Sequence, residues 1–178
     1  MRPAFRSIAT AIAGVSCLGA LAGVSCSAAA PPAKPPAAAQ KESPLQFDLE
    51  AVDGTRVSSE TTRARNTVIG FITTYDLASQ ALANYLKTVA REHVPRTNVV
   101  AIVLEAPESL PLVKAFATTI RIKYPLVLVE PRDHARSVFK DMKSVPSVLI
   151  LDREGRPSWR KNGIVEAKEI DQVLRGLE

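Results

Sequence analysis

Thiols are the side chains best suited to covalent redox chemistry, and this chain has two, Cys17 and Cys26, both within its first 26 residues. From residue 27 to the C-terminus there is none. The remaining candidates for chemistry are few. His93 and His134 are the only histidines. Neither has a Cys or His at ligand spacing, so no metal is expected, and both read as surface or helix-end residues. Asp76 and Ser79 stand three apart, where an apolar run at residues 67–73 gives way to a helical pattern. A carboxylate there could act as a general acid or base with Ser79 or Tyr75, but no histidine lies close in sequence to assist it. The same carboxylate suits a plainer role. It can accept the free N–H groups of a helix starting at Leu77 and complement the helix dipole, and this capping role is the preferred reading. No glycine-rich phosphate loop follows any strand, so no cofactor is expected.

The elements that position these residues begin after a leader. Arg2 and Arg6 precede an apolar, Ala/Gly-rich stretch from Ile8 to Val24, which reads as an export signal rather than a spanning helix. Small residues, Leu21-Ala22-Gly23-Val24-Ser25, lead to Cys26 and resemble a bacterial lipobox, with Gly23 departing from the usual Leu or Val. Lipid attachment at Cys26 is the expected exit; cleavage near Ala28-Ala29-Ala30 and an uncleaved anchor are the alternatives. Residues 27–43 contain four prolines and seven alanines and read as a semi-rigid spacer. The organisation is therefore 1–26 leader, 27–43 linker and 44–178 folded domain. About 135 residues are enough for one domain with a real core. The net charge is +5, and removing Arg2 and Arg6 leaves 5 − 2 = +3. With no basic run interleaved with aromatics, nucleic acid is not an expected partner.

Within the domain, strand and helix patterns alternate. Phe47, Leu49 and Ala51 alternate with polar residues before an Asp53-Gly54 turn, a hairpin signature. Buried strands are expected at 67–73, 98–104, 126–129 and 147–151, and a returning edge strand at 157–165 around Trp159. Helices are expected from Leu77 with 78, 82, 85, 86 and 89 inward. A second should run from Ser109 with Leu112, Val113, Phe116, Ala117 and Ile120 inward. A third follows Pro131 with Ala135, Val138, Phe139 and Met142, and a last spans 167–177. This is an α/β domain with a central mixed sheet flanked by helices and an N-terminal β-hairpin.

Four segments resemble the thioredoxin-like superfamily, and within it the TlpA/ResA-type, redoxin-like tethered thiol–disulfide proteins. They are residues 47–54 (FDLEAVDG), 68–75 (VIGFITTY), 124–128 (YPLVL) and 145–156 (VPSVLILDREGR), the last similar to the family's V-P-T…D-x-x-G segment. The resemblance spans about residues 45–177. It implies a cis peptide between Val145 and Pro146, and it maps the family's two C-x-x-C cysteines onto Asp76 and Ser79. A carboxylate and a hydroxyl supply neither the attacking thiolate nor the resolving thiol of that chemistry, and peroxide reduction fails for the same want of a thiolate. The resemblance thus implies a redox-inactive, envelope-tethered domain, not expected to be an enzyme. It would hold an extended peptide or an envelope protein in a groove formed by Tyr75, Asp76, Ser79, Val145 and Pro146. The alternative is a thiol–disulfide oxidoreductase or antioxidant protein, as the fold alone would suggest. Arg153, Arg156, Arg160 and Lys161 read as a solvated edge that discourages strand pairing.

Overall fold

The computed structural model describes residues 42–177, which fall in one compact unit. The leader, Cys17, Cys26 and the linker up to residue 41 lie outside the described residues, so the expectations about them are untouched by the fold.

The chain opens with an antiparallel hairpin of β1 (Asp48–Glu50) and β2 (Arg56–Ser58), turned at Gly54, whose φ of 85° favours glycine. Ser58 then caps a one-turn helix α1 (Ser59–Thr62), with its hydroxyl and that of Thr61 forming a reciprocal capping box. This turn was not expected from the sequence. A five-stranded sheet follows, in the order β5-β4-β3-β6-β7. Its strands are β3 (Asn66–Ile72), β4 (Thr97–Leu104), β5 (Leu126–Val129), β6 (Ser147–Leu151) and β7 (Pro157–Asn162). β3, β4 and β5 run parallel; β6 is antiparallel to β3, and β7 antiparallel to β6. The helices are α2 (Leu77–His93), α3 (Leu110–Ile120), α4 (Pro131–His134) and α5 (Ala167–Gly176).

The pleat of β3 explains the two-sided core. Val68 and Ile72 point into one cluster, with Leu82, Leu86 and Val89 of α2, Val113 and Phe116 of α3, and Ile170 and Leu174 of α5. Ile69 and Phe71 point into the other, with Ala51 and Val57 of the hairpin and Phe139 and Met142. Every residue of β3 is buried, as a central strand covered on both faces requires. Gly70 lets α2 come close: a Cβ there would stand 2.4 Å from Leu86 Cδ1.

Three helical expectations need correction. The inward stripe of α2 is Ser79, Leu82, Ala83, Leu86, Val89 and His93, while Ala78 and Tyr85 are only half-buried. The helix is rotated so that Ser79, whose hydroxyl is satisfied locally, faces inward. On α3, which follows a 3-10 turn at Pro107–Ser109, Leu112 is 63% exposed, because the stripe facing the sheet runs through Val113, Phe116 and Ile120. The helix after Pro131 lasts one turn. Ser137 Oγ donates to the His134 carbonyl and accepts the Phe139 N–H, which are bonds a continuing helix would have made through its backbone. Phe139 and Met142 are still buried, but from a series of turns, and Val138 points outward.

The histidines also differ from expectation. Both lie at helix ends, but neither is on the surface: His93 is 8% and His134 is 7% exposed. His93 Nε2 lies 3.0 Å from Asp171 Oδ1, tying the end of α2 to α5. At the sheet edge, Trp159 is half-buried against the core opposite Ile150. Arg160 pairs with Glu42 and Lys161 with Glu169, so this edge carries ion pairs rather than free cations. Glu42, placed in the linker by composition, is therefore already in contact with the domain.

Candidate functional site

The site forms where β3 ends and α2 begins. Asp76 is the N-cap of α2, with φ −98° and ψ 127°. Its carboxylate accepts the N–H of Ala78 at 3.3 Å and of Ser79 at 2.9 Å, and the Ser79 hydroxyl at 2.9 Å. These bonds, those from the Ser79 N–H and hydroxyl foremost, hold the Asp76 carboxyl below the usual carboxylate range. The capping reading from the sequence is thus realised atom by atom. A carboxylate committed to three donors and held at low pKa is a poor proton acceptor near neutral pH, which counts against the acid–base reading. Ser79 is fully buried.

The loop before the helix is fastened by a residue the sequence did not single out. Glu105, just after β4 and 6% exposed, accepts the Thr74 N–H at 2.5 Å and the Thr74 hydroxyl at 2.8 Å. Gln80 Nε2 donates to the Thr74 carbonyl at 3.0 Å. With Thr74 held from both sides, Tyr75 and Leu77 project outward, 78% and 80% exposed. Two large side chains with apolar surface thus stand exposed two positions apart.

Across from this loop lies the segment before β6. The Val145–Pro146 peptide is cis, as is Val94–Pro95 at the far end of α2. Pro146 and Ser147 are buried and Val145 is half-buried. The Pro146 carbonyl accepts the Gly163 N–H at 2.8 Å, extending the β6–β7 pairing. The N–H and C=O of Val145 form no hydrogen bond with any described residue. Thr73, Tyr75, Asp76 and Val145 line one groove of about 960 Å³ with the 131–143 segment. Of the five groove residues expected from sequence, Tyr75, Asp76 and Val145 line it directly. Ser79 and Pro146 are buried and do not line it.

His134 also lines this groove. It packs edge-on against Phe71 at a centroid distance of 5.4 Å, and its Nε2 lies 2.8 Å from the Met142 carbonyl. A carbonyl only accepts, so Nε2 carries a proton, while Nδ1 is buried without a partner among the described residues. No local signal could have placed it here. Only the packing of the 131–142 turns on β3 brings position 134 beside position 71. The hydroxyls of Ser144 and Ser147, on either side of the cis peptide, are likewise buried without a partner among the described residues. No cluster of three metal-ligating side chains occurs among the described residues.

No protein-family description and no curated protein sequence matches the chain. Solved structures do. A DsbF homologue from Corynebacterium diphtheriae superposes with a TM-score of 0.71 at 19% identity, over 78% of this chain and 88% of its own. A thiol:disulfide interchange protein of the thioredoxin family from Chlorobium tepidum superposes with a TM-score of 0.67 at 18% identity, over 78% of this chain and 97% of its own. A secreted Mycobacterium tuberculosis disulfide oxidoreductase, homologous to E. coli DsbE, gives 0.63 at 17% identity, over 75% and 97%. Likeness at this level of identity establishes the fold.

Proposed function

On this thioredoxin-like scaffold, with its mixed sheet and N-terminal hairpin, we propose that the chain is a binding module that has lost thiol–disulfide chemistry and kept the groove beside it. The reading rests chiefly on Val145. Its backbone N–H and C=O have no partner among the described residues at the edge of a groove that Tyr75 also lines, and Leu77, two residues on from Tyr75, is exposed as well. An extended peptide could add its main chain to that edge as a strand, with side chains meeting Tyr75 on one side. The proposed partner is thus an extended, partly apolar segment of an envelope protein. The positions where a thiol pair would sit carry Asp76 and Ser79, and these bond to each other instead.

The proposed setting is the bacterial envelope, with the domain outside the cytoplasm, held by lipid on Cys26. The apolar leader and the small residues before Cys26 support this, as do solved neighbours described as secreted. Among the described residues no helix is long and apolar enough to cross a membrane. Mass spectrometry of the mature chain tests the anchor: an unmodified Cys26 retained in the mature protein removes it.

The groove is tested by titrating the full chain with unstructured, apolar-rich peptides and following backbone amide signals. Shifts at Val145, Tyr75 and Asp76 that a Tyr75→Ala/Leu77→Ala variant loses support the reading. Unmoved signals there overturn it. The second reading, a thiol–disulfide oxidoreductase, is favoured by the fold comparison, and insulin reduction by the full chain would establish it.

A further inference from the structure

The opposite end of the sheet holds a second cavity, of about 650 Å³. β3 and β4 run parallel, so the peptide groove at the end of β3 and this cavity at the start of β4 lie at opposite ends of the domain. Its walls come from the hairpin, the start of β4, the last turns of α2 and residues 121–125.

Two features of the lining stand together. Part of the lining is apolar, from Ala90, Val94, Val99 and Tyr124, of which Val99 and Tyr124 are buried. Tyr124 contributes its ring, because its hydroxyl is used to donate to the Ala83 carbonyl at 2.9 Å. Around this wall stand Arg56, Arg65, Lys87, Arg91, Arg121 and Lys123, and no carboxylate is among the lining residues. Six cations at one cavity exceed the net charge of +5 carried by the whole chain. Some of that charge is met locally. Arg56 is held by Asp48 and Arg91 by Glu92, and Lys87 Nζ donates to the Ile120 carbonyl at 2.9 Å. Arg65, Arg121 and Lys123 form no ion pair among the described residues. A concave site with low-dielectric walls and one sign of charge concentrates the opposite sign.

We propose that this cavity binds an amphipathic anion: a small molecule with an apolar body against the valine and tyrosine wall and one phosphate or carboxylate group among Arg65, Arg121 and Lys123. The volume falls in the range of small-molecule sites, and an inorganic anion would fill only a fraction of it. A ligand of this chemistry satisfies both halves of the lining, the apolar wall by burial and the cations by charge. The site is independent of the peptide groove and shares no lining residue with it.

The test uses the full 178-residue chain and three probes: octyl phosphate, inorganic phosphate and octyltrimethylammonium. Octyl phosphate is expected to bind saturably at one site, with amide shifts centred on Val94, Arg121 and Lys123, and more weakly as salt is raised. Inorganic phosphate and the cationic amphiphile are each expected to bind at least roughly ten-fold more weakly. A Lys123→Glu/Arg65→Glu variant, both positions exposed, should weaken octyl phosphate binding by a similar factor; thermal unfolding confirms that it remains folded. If it does not fold, Lys123→Gln alone should give a smaller loss in the same direction. Equal binding of the cationic amphiphile, or charge-insensitive binding by a folded variant, overturns the proposal. So do inorganic phosphate binding as tightly as octyl phosphate, and shifts confined to Tyr75 and Val145.

Discussion

The Ser79 hydroxyl donates to the Asp76 carboxylate at 2.9 Å, so the two positions three apart at the head of α2 are bonded to each other. The free N–H groups and dipole of a helix N-terminus favour negative charge, whether thiolate or carboxylate. In this chain that charge is a fixed carboxylate, and the inward partner is a hydroxyl that completes its hydrogen bonds. What remains is a rigid corner that sets the direction of Tyr75 and Leu77.

Asp76 makes stability depend on pH in a defined direction. Its carboxyl is held below the ordinary aspartate range in the folded chain, so its contribution is present above that range and disappears as pH falls through the lower, folded value. Asp76→Ala should lower Tm by about 2–6 °C near neutral pH. The difference from the parent chain should shrink steadily below about pH 4. Asp76→Asn, a comparable cap, should lose less. Thermal unfolding across pH measures all three, and a pH-independent gap would dismiss the linkage.

Introducing two thiols at the head of α2 tests whether this corner can carry thiol–disulfide chemistry. In an Asp76→Cys/Ser79→Cys variant the first thiol lies at the N-cap of α2 and the second faces inward, where Ser79 is fully buried. The expected outcome is one thiol of depressed pKa, measured by the pH dependence of alkylation, and an internal disulfide under mild oxidation. Two unperturbed thiols that resist pairing would show that the backbone here does not have a redox geometry.

Glu105 should matter far more than an acidic residue beside a sheet usually does. Glu105→Ala leaves the Thr74 N–H and hydroxyl without their acceptor, a loss of roughly 1–3 kcal/mol. Glu105→Gln, which keeps one acceptor oxygen, should lose less. Denaturant unfolding reads the stability. Amide exchange at Thr74 should accelerate in Glu105→Ala, and peptide affinity at the groove should fall with it.

Gly70 tests the closeness of α2 to the sheet. A methyl added there meets Leu86 Cδ1 at 2.4 Å, and Leu86 is fully buried with little room to turn. Gly70→Ala should destabilise the domain by about 1–3 kcal/mol, and combined with Leu86→Ala it should lose less than the sum of the two single variants. Additive losses in the double variant would remove the contact from the account.

Much of this protein follows from its chain read locally. The strand at 147–151, the Asp53-Gly54 hairpin, the thioredoxin-like order of elements and the Asp76 cap are all carried by short-range signals. β-branched runs, turn residues and the first N–H groups of a helix act on their immediate neighbours, so these features are legible without the fold. The absence of a thiol after Cys26 is likewise legible in the sequence alone. Other features depend on contacts between distant segments. Thr74 is fastened by Glu105, 31 positions on, and His134 reaches the groove only because the turns after Pro131 pack on Phe71. The basic cavity gathers Arg65 and Lys123 from two separate connections and Lys87 from α2, each of which reads as an ordinary solvated charge by itself. Local chemistry decided which elements form and how they begin. Packing across the sheet decided which side chains share a site, because in a parallel sheet the residues that meet at one end are separated in sequence by a whole strand and helix.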